Sequence, residues 1–181
     1  MTGTRGRVWF LTGTPGSGKT TLAHRLSAVY GRPVLSTGDI ARRIDPEALA
    51  RGDWADPDLF REAMRDEVDR ISGGADAAYI VDGYPRTLAQ FQEIPAHPDL
   101  LVFYLCCVPS EIAVDRLTRR GRSDDTPDII KTRVERQTED LESWVRREIP
   151  WGHHLNTAKR TPDFVFETVR RYLDGERKEI F

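Results

Sequence analysis

Residues 13–20 read Gly-Thr-Pro-Gly-Ser-Gly-Lys-Thr, and this stretch decides the fold of the chain. It follows an apolar run at 8–12 that is typical of a strand, and a helical pattern comes after it. Between a strand and a helix, glycines let backbone N–H groups surround a phosphate, and the lysine adds a positive charge. An ordinary glycine-rich turn would not need the final Lys19-Thr20. The stretch therefore predicts a nucleoside triphosphate site formed by Gly13, Pro15, Gly16, Ser17, Gly18, Lys19, Thr20 and Thr21.

Strand-like and helix-like segments alternate outward from this loop. Strands are predicted at 8–12, 34–36, 79–82 and 101–108, with a weaker one at 152–156. The helix after the loop carries Leu22, Leu26 and Val29 at helical spacing, and further helices begin near Asp56-Pro57, Ser110, Thr126-Pro127 and Thr161-Pro162. This order predicts an α/β fold of the P-loop NTPase kind, with a five-stranded parallel sheet in a three-layer α/β/α arrangement. The residues from Gly175 onward are expected to fray.

Composition narrows the class of protein. The chain has 181 residues, 27 Lys and Arg against 29 Asp and Glu, and a formal net charge of -2. That length suits one domain, and the charge balance argues against general nucleic-acid or polybasic membrane binding. No apolar run is long enough for a membrane span or a signal peptide. The adjacent Cys106 and Cys107 are expected to be core thiols, and we expect a soluble, cytoplasmic protein.

A second motif lies at the carboxyl end of the third predicted strand. Asp82-Gly83-Tyr84-Pro85-Arg86-Thr87 falls on the same sheet edge as the P-loop, where ligands of open α/β sheets bind. Asp82 can hold Mg²⁺ through water, and Arg86 can present a bidentate fork to a phosphate. Taken alone, the segment is also consistent with an ordinary turn.

Residues 82–90, DGYPRTLAQ, resemble the signature segment of the adenylate kinase family of nucleoside monophosphate (NMP) kinases. Residues 36–42, STGDIAR, are similar to that family's acceptor-binding segment, and 121–125 with Arg133 resemble its short, metal-free lid. The resemblance implies one kinase domain over 1–181, with an NMP-binding segment at about 37–72 and a lid at about 120–133. It implies ATP and an NMP as ligands and Mg²⁺ as cofactor. We expect a monomer rather than an oligomer.

The resemblance also implies a role for each matching residue. Lys19 and the loop amides would hold the ATP phosphates, and Arg116 and Arg120 would approach the adenine. Thr20 and Asp82 would organise Mg²⁺ and its water shell. Arg120, Arg122 and Arg133 would surround the transferring phosphoryl group, so the residues implied in catalysis are Lys19, Arg86, Arg120, Arg122 and Arg133. The acceptor would contact Thr37, Gly38, Arg42, Gly83, Arg86, Gln90, Arg122 and Arg133.

Two departures from the family pattern leave alternatives open. The family commonly has glycine after the P-loop lysine, where this chain has Thr20. Residues 42–52 are shorter than the usual acceptor segment, and 44–48 leave little room for a full helical cover over the base. AMP or dAMP is the first acceptor expected, since Gln90 suits adenine. A kinase for another or modified nucleotide, and a P-loop binding protein without kinase activity, are the alternatives. Trp54 is a candidate lining residue of the base pocket.

Overall fold

The computed structural model describes residues 5–51, 53, 55–72, 77–107, 109–122, 125–150 and 153–180. The strands within these residues are β1 (Val8–Gly13), β2 (Val34–Ser36), β3 (Tyr79–Asp82), β4 (Leu100–Cys106) and β5 (His154–Asn156). The helices are α1 (Lys19–Tyr30), α2 (Thr37–Ile44), α3 (Pro46–Ala50), α4 (Pro57–Ser72), α5 (Leu88–Gln92), α6 (Ser110–Arg120), α7 (Pro127–Glu148) and α8 (Pro162–Leu173).

The five strands form one parallel sheet in the order β2-β3-β1-β4-β5. β1 lies at the centre, so the loop that follows it leaves from the middle of the carboxyl edge. In the register of β1 and β3, Leu11 pairs with Asp82, which brings the ends of these two strands together. The predicted α/β class and the parallel sheet are confirmed.

The side chains of β1 show how the layers pack. Trp9 and Leu11 belong to a core cluster with residues of α1 and α8, while Val8 and Phe10 pack in a cluster with residues of α2 and α4. Successive side chains of a strand point to opposite faces, so helices cover both faces of the sheet. This is the predicted three-layer arrangement.

Local signals placed several helices correctly. Thr126 and Thr161 accept hydrogen bonds from the backbone N–H groups of Ile129 and Phe164, and each precedes a proline at the first helical position. The five residues predicted to face the core from α7 are all buried: Ile130, Val134, Leu141, Trp144 and Val145.

Four expectations about the periphery are corrected. Val29 is 57% exposed because Tyr30 takes the core-facing place in the last turn of α1, edge-on to Trp9 at 5.0 Å. The terminal segment does not simply fray, because Ile180 is buried in the core cluster of β1, α1 and α8. β4 begins one residue earlier than predicted and ends at Cys106, and Val108 lies outside the described residues. β5 begins at His154, and Gly152 is also outside them.

The segment after β2 is more helical than its sequence suggested. Residues 37–44 form α2, and a five-residue helix, α3, begins at Pro46, where little room for helical structure was expected. Asp45 makes α3 possible because its side chain caps the N–H of Ala48 at 3.1 Å. Trp54 is outside the described residues. Among those described, no helix combines the length and apolar character that a membrane span needs.

Candidate active site

The P-loop wraps tightly around its own lysine. The Lys19 ammonium donates to the carbonyl oxygens of Gly13 and Thr14, each at 2.8 Å, and lies 3.4 Å from the Ser17 hydroxyl. Gly13 is required here, because a Cβ at this position would lie 1.8 Å from the carbonyl oxygen of Leu105. Burial lowers the pKa of Lys19 to about 8, although the Asp82 carboxylate opposes the shift. The lysine charge is therefore held inside the loop, at the N-terminus of α1.

Thr20 and Asp82 meet beside this lysine. The Thr20 hydroxyl donates to Oδ2 of Asp82 at 2.6 Å, and only 5% of Asp82 is exposed. The other carboxylate oxygen, Oδ1, is buried and has no hydrogen-bond partner among the described residues. A buried carboxylate oxygen without a donor is costly unless a cation or its water shell satisfies it. The donor set fits Mg²⁺, which prefers oxygen ligands and keeps several waters.

Arg86 is fixed on the other side of Asp82. Its Nε donates to the carbonyl oxygen of Gly83 at 2.7 Å, and a terminal nitrogen donates to the Thr37 hydroxyl at 2.9 Å. That hydroxyl also lies 2.9 Å from the carbonyl oxygens of Asp82 and Gly83. Burial lowers the pKa of Arg86 to about 10, and the neighbouring Arg42 and Arg133 lower it further while Asp82 raises it. The guanidinium is thus held rigidly in a positively charged environment.

Arg42 comes from α2 to the same point. A Cβ on Gly38 would lie 3.7 Å from both terminal nitrogens of Arg42 and 3.9 Å from one terminal nitrogen of Arg86. The two guanidinium groups therefore converge on Gly38, where a side chain would fill the space between them. Arg42 also donates to Asp39 at 2.6 Å. Two like charges placed this close favour an anion between them.

Gln90 has a different environment from the one the sequence suggested. Its side-chain oxygen accepts the backbone N–H of Arg86 at 2.8 Å, so this side chain supports the Arg86 turn. It does not line the cavity described below. Thr37 is also absent from the cavity wall, because it is fully buried behind Arg86. Contact between Gln90 and an acceptor base stays a prediction.

The lid arginines are joined by one carboxylate. Asp125 accepts from Arg120 at 2.6 Å through Oδ2 and from Arg133 at 2.5 Å through Oδ1, and its side chain is 1% exposed. Burial alone would raise the pKa of Asp125, but the hydrogen bonds from the two arginines outweigh it and hold the pKa below its usual value. Each arginine keeps further N–H groups beyond the one used on Asp125. Ser123 and Asp124, also in the predicted lid, are outside the described residues.

Arg116 makes contacts that the sequence did not reveal. Its guanidinium donates to the carbonyl oxygens of Gly16, Thr157 and Ala158, at 3.2, 2.8 and 3.2 Å. Thr157, which is 2% exposed and directly follows β5, places its hydroxyl 2.9 Å from the carbonyl oxygen of Ser17. The pair ties the P-loop to the end of β5. Thr157 directly follows a predicted strand, at the sheet edge where ligands bind, and this position could have identified it as a site residue.

These groups surround one cavity of about 530 Å³. Its walls contain nearly all of the predicted site residues: Gly13, Pro15, Gly16, Ser17, Gly18, Lys19, Thr20, Thr21, Gly38, Arg42, Asp82, Gly83, Arg86, Arg116, Arg120, Arg122 and Arg133. The sequence missed further wall residues, among them Leu49, Asp53, Leu117, Gln137, Leu141, Arg160, Pro162 and Val165. The P-loop, Arg42 of α2 and Arg86 thus face the same cavity.

A parallel α/β sheet with a P-loop at its centre and arginines from separate segments facing that loop defines a P-loop phosphotransferase. A sequence profile described as "AAA domain" matches residues 12–131. The chain is 36% identical to the adenylate kinase of Thermus thermophilus, over 93% of this chain and 97% of that protein. It is 33% identical to adenylate kinase isoenzyme 1 of Rattus norvegicus, over 94% of this chain and 96% of that protein. The chain belongs to the adenylate kinase family, and it is a nucleoside monophosphate kinase.

Proposed function

We propose that this enzyme transfers the γ-phosphoryl group of ATP to AMP or dAMP, giving ADP and the acceptor diphosphate. The observation that carries the proposal is the convergence of Arg42 and Arg86 on Gly38, across one cavity from the P-loop. The ATP phosphates and the acceptor phosphate then have separate positively charged binding sites within the same cavity. The relatives named adenylate kinase support adenylate as the acceptor. The free cysteines Cys106 and Cys107 are consistent with a reducing cytoplasm, which we take as the site of action.

The donor end holds the ATP phosphates. The glycine-rich loop directs its N–H groups and the N-terminus of α1 at the anion, and Lys19 supplies a charge already held within hydrogen-bond reach of the loop. Arg116 and Thr157 keep the loop fixed relative to β5. Leu117, Pro162 and Val165 give the cavity an apolar stretch that suits the adenine of the donor.

The acceptor end holds the monophosphate between Arg42 and Arg86. A phosphate monoester is largely dianionic at neutral pH, because its second pKa is about 6, so its oxygen attacks without a protein base. The protein's task is to bring two mutually repelling anions into line and to offset their charge. Arg86 is suited to this because its hydrogen bonds to Thr37 and Gly83 fix the position of the guanidinium.

The lid arginines supply the remaining positive charge around the transferring phosphoryl group. Arg120 and Arg133 are oriented by Asp125, and Arg122 lines the same cavity. Charge develops on the equatorial oxygens of the transferring phosphoryl, and preorganised arginines stabilise it at little reorganisation cost. Enclosing the site also excludes water, which would otherwise accept the phosphoryl group.

Mg²⁺ fits the donor side. Thr20 and Asp82 would hold it, directly or through water, and the unpartnered Oδ1 of Asp82 supports this assignment. When bound, the ion neutralises negative charge on the ATP phosphates.

A second acceptor class has an observation in its favour. The helix over the acceptor side, α3, has five residues, and the oxygen of Gln90 is bound to the backbone of Arg86. Both features leave base recognition less restricted than phosphate recognition. A different or modified nucleoside monophosphate is therefore the alternative substrate.

The test is ADP formation from ATP and Mg²⁺ with each ribo- and deoxynucleoside monophosphate in turn. We expect AMP or dAMP to give the highest kcat/KM, well above turnover with ATP alone. A clear preference for another base would replace the adenylate assignment by the alternative. No stimulation by any natural or modified monophosphate would contradict the proposed function.

A further inference from the structure

An ion pair connects two parts of the chain that face each other across the acceptor end of the cavity. Arg136 of α7 donates to Oδ1 of Asp53 at 2.6 Å, and Asp53 lies in the connection between α3 and α4. Arg51 lies 3.4 Å from the other oxygen of Asp53. The hydrogen bond from Arg136 lowers the pKa of Asp53, so the carboxylate is charged at neutral pH. This contact joins residues 83 positions apart in the sequence.

Asp53 is firmly attached to α3. Its backbone N–H donates to the carbonyl oxygen of Ala48 at 2.9 Å, and Ala48 is 4% exposed. Asp45, which caps α3 through one oxygen, accepts the N–H of Asp56 through the other at 3.1 Å. Asp53 and Asp56 are therefore hydrogen-bonded to α3 and to its capping residue, so a contact at Asp53 bears on the position of Leu49 on that helix.

Arg136 has a comparable connection to the site. It lies on α7 beside Gln137, and Arg133, Gln137 and Leu141 follow one another at intervals of four residues on one face of that helix. All three line the cavity, and Leu49 and Asp53 line it from the acceptor segment. The ion pair thus holds α3 and α7 together around the space next to Arg42 and Arg86.

We propose that Asp53 and Arg136 are positioning residues that hold the acceptor-binding segment against α7, so that Leu49 and Gln137 enclose the acceptor nucleoside. The proposal rests on the proposed function, because it takes the Arg42 and Arg86 side as the acceptor site. The pair acts through α3 and α7, because its hydrogen bond joins a side chain of one part of the cavity wall to a side chain of the other. It therefore governs how well the acceptor is retained, while the ATP phosphates are held by the P-loop.

The exposure of the two side chains determines how much the loss of the ion pair should change acceptor binding. The Asp53 and Arg136 side chains are 38% and 53% exposed, so water and salt weaken the pair. We expect its loss to raise the acceptor KM by roughly two- to five-fold, in keeping with exposed ion pairs. The difference between wild type and variant should shrink as ionic strength rises.

A double-mutant cycle tests the proposal. The variants are Asp53→Asn, Arg136→Gln and the combination of both, assayed for acceptor KM, ATP KM and kcat at low and high salt. Arg146→Gln is the matched control, since Arg146 pairs at 2.7 Å with Glu142 on the same helix. Each single variant should raise acceptor KM with ATP KM unchanged, the double variant should be no worse than either single one, and the control should match wild type.

Three results overturn the proposal. They are an acceptor KM unchanged in both single variants, an equal rise in ATP KM, or fully additive effects in the double variant. These results differ from failure of the proposed function, which appears in the wild-type protein as the absence of acceptor-dependent turnover. That last result would remove this inference together with the function on which it rests.

Discussion

Replacing Gly83 by alanine should damage acceptor binding selectively. Gly83 has a φ of 90°, a backbone conformation that residues with a side chain rarely adopt. An added Cβ would also lie 2.6 Å from the Thr37 hydroxyl oxygen. It would also lie 3.1 Å from a terminal nitrogen of Arg86. The methyl group must therefore displace the hydrogen bond that holds Arg86 in place.

The expected loss of stability in Gly83→Ala has two parts. Forcing a residue with a side chain into a left-handed conformation costs about 1–2 kcal/mol. Losing a buried hydrogen bond to a charged group costs about 1.5–3 kcal/mol more. We therefore expect the free energy of unfolding to fall by roughly 2.5–5 kcal/mol, and the acceptor KM to rise by at least about tenfold because Arg86 no longer points at Gly38.

Gly31→Ala is the matched control. Gly31 has a φ of 66°, and an added Cβ meets no atom within 4 Å, so this variant carries the backbone strain alone. Urea denaturation measures both stabilities, and steady-state kinetics with each substrate varied gives both KM values. Equal losses of stability in the two variants, with acceptor KM unchanged in Gly83→Ala, would show that the Gly83 position does not control Arg86.

Three further predictions concern other parts of the site. Because the pKa of Lys19 is lowered to about 8 and a bound triphosphate favours its charged form, ATP binding should take up a proton above about pH 8 and weaken as pH rises. Calorimetry in buffers of different ionisation enthalpy measures this uptake, and a pH-independent affinity up to pH 10 would contradict it. Asp125→Asn should lower kcat and reduce the free energy of unfolding by about 1–3 kcal/mol, less than for a fully buried pair because Arg120 is partly exposed. Unchanged kcat and urea midpoint would show that Asp125 does not orient the lid arginines. Thr157→Val should raise ATP KM but not acceptor KM, with Thr157→Ser close to wild type, and an effect on both substrates would argue against its role at the P-loop.

Much of the fold was predictable because its signals are local. The P-loop, the Thr-Pro helix starts and the apolar spacing of α7 lie within short stretches, and each produced the expected element. The short helices α3 and α5 were not predicted, since five residues carry too little periodicity to show. The burial of Ile180 was also hidden, because it depends on a core formed by distant segments.

The site also has features that could be predicted from local motifs and features that could not. The P-loop and the segment around Arg86 were found from contiguous motifs, and the cavity brings them together. The contacts of Arg116 were not predictable, because its partners come from the P-loop and from the end of β5. The bridging position of Asp125 likewise requires that α6 and α7 each bring an arginine to it. Long-range packing, not motif content, decides these roles.

Arg86 is assigned to the acceptor phosphate, and the P-loop is assigned to ATP. Calorimetric titration of AMP and of ATP into wild type and Arg86→Ala separates these two roles. We predict that the variant loses at least about tenfold in AMP affinity, since a charged hydrogen-bonding partner is removed, while its ATP Kd stays within about twofold. An equal loss of affinity for both nucleotides, or undiminished AMP binding, would show that Arg86 does not hold the acceptor phosphate.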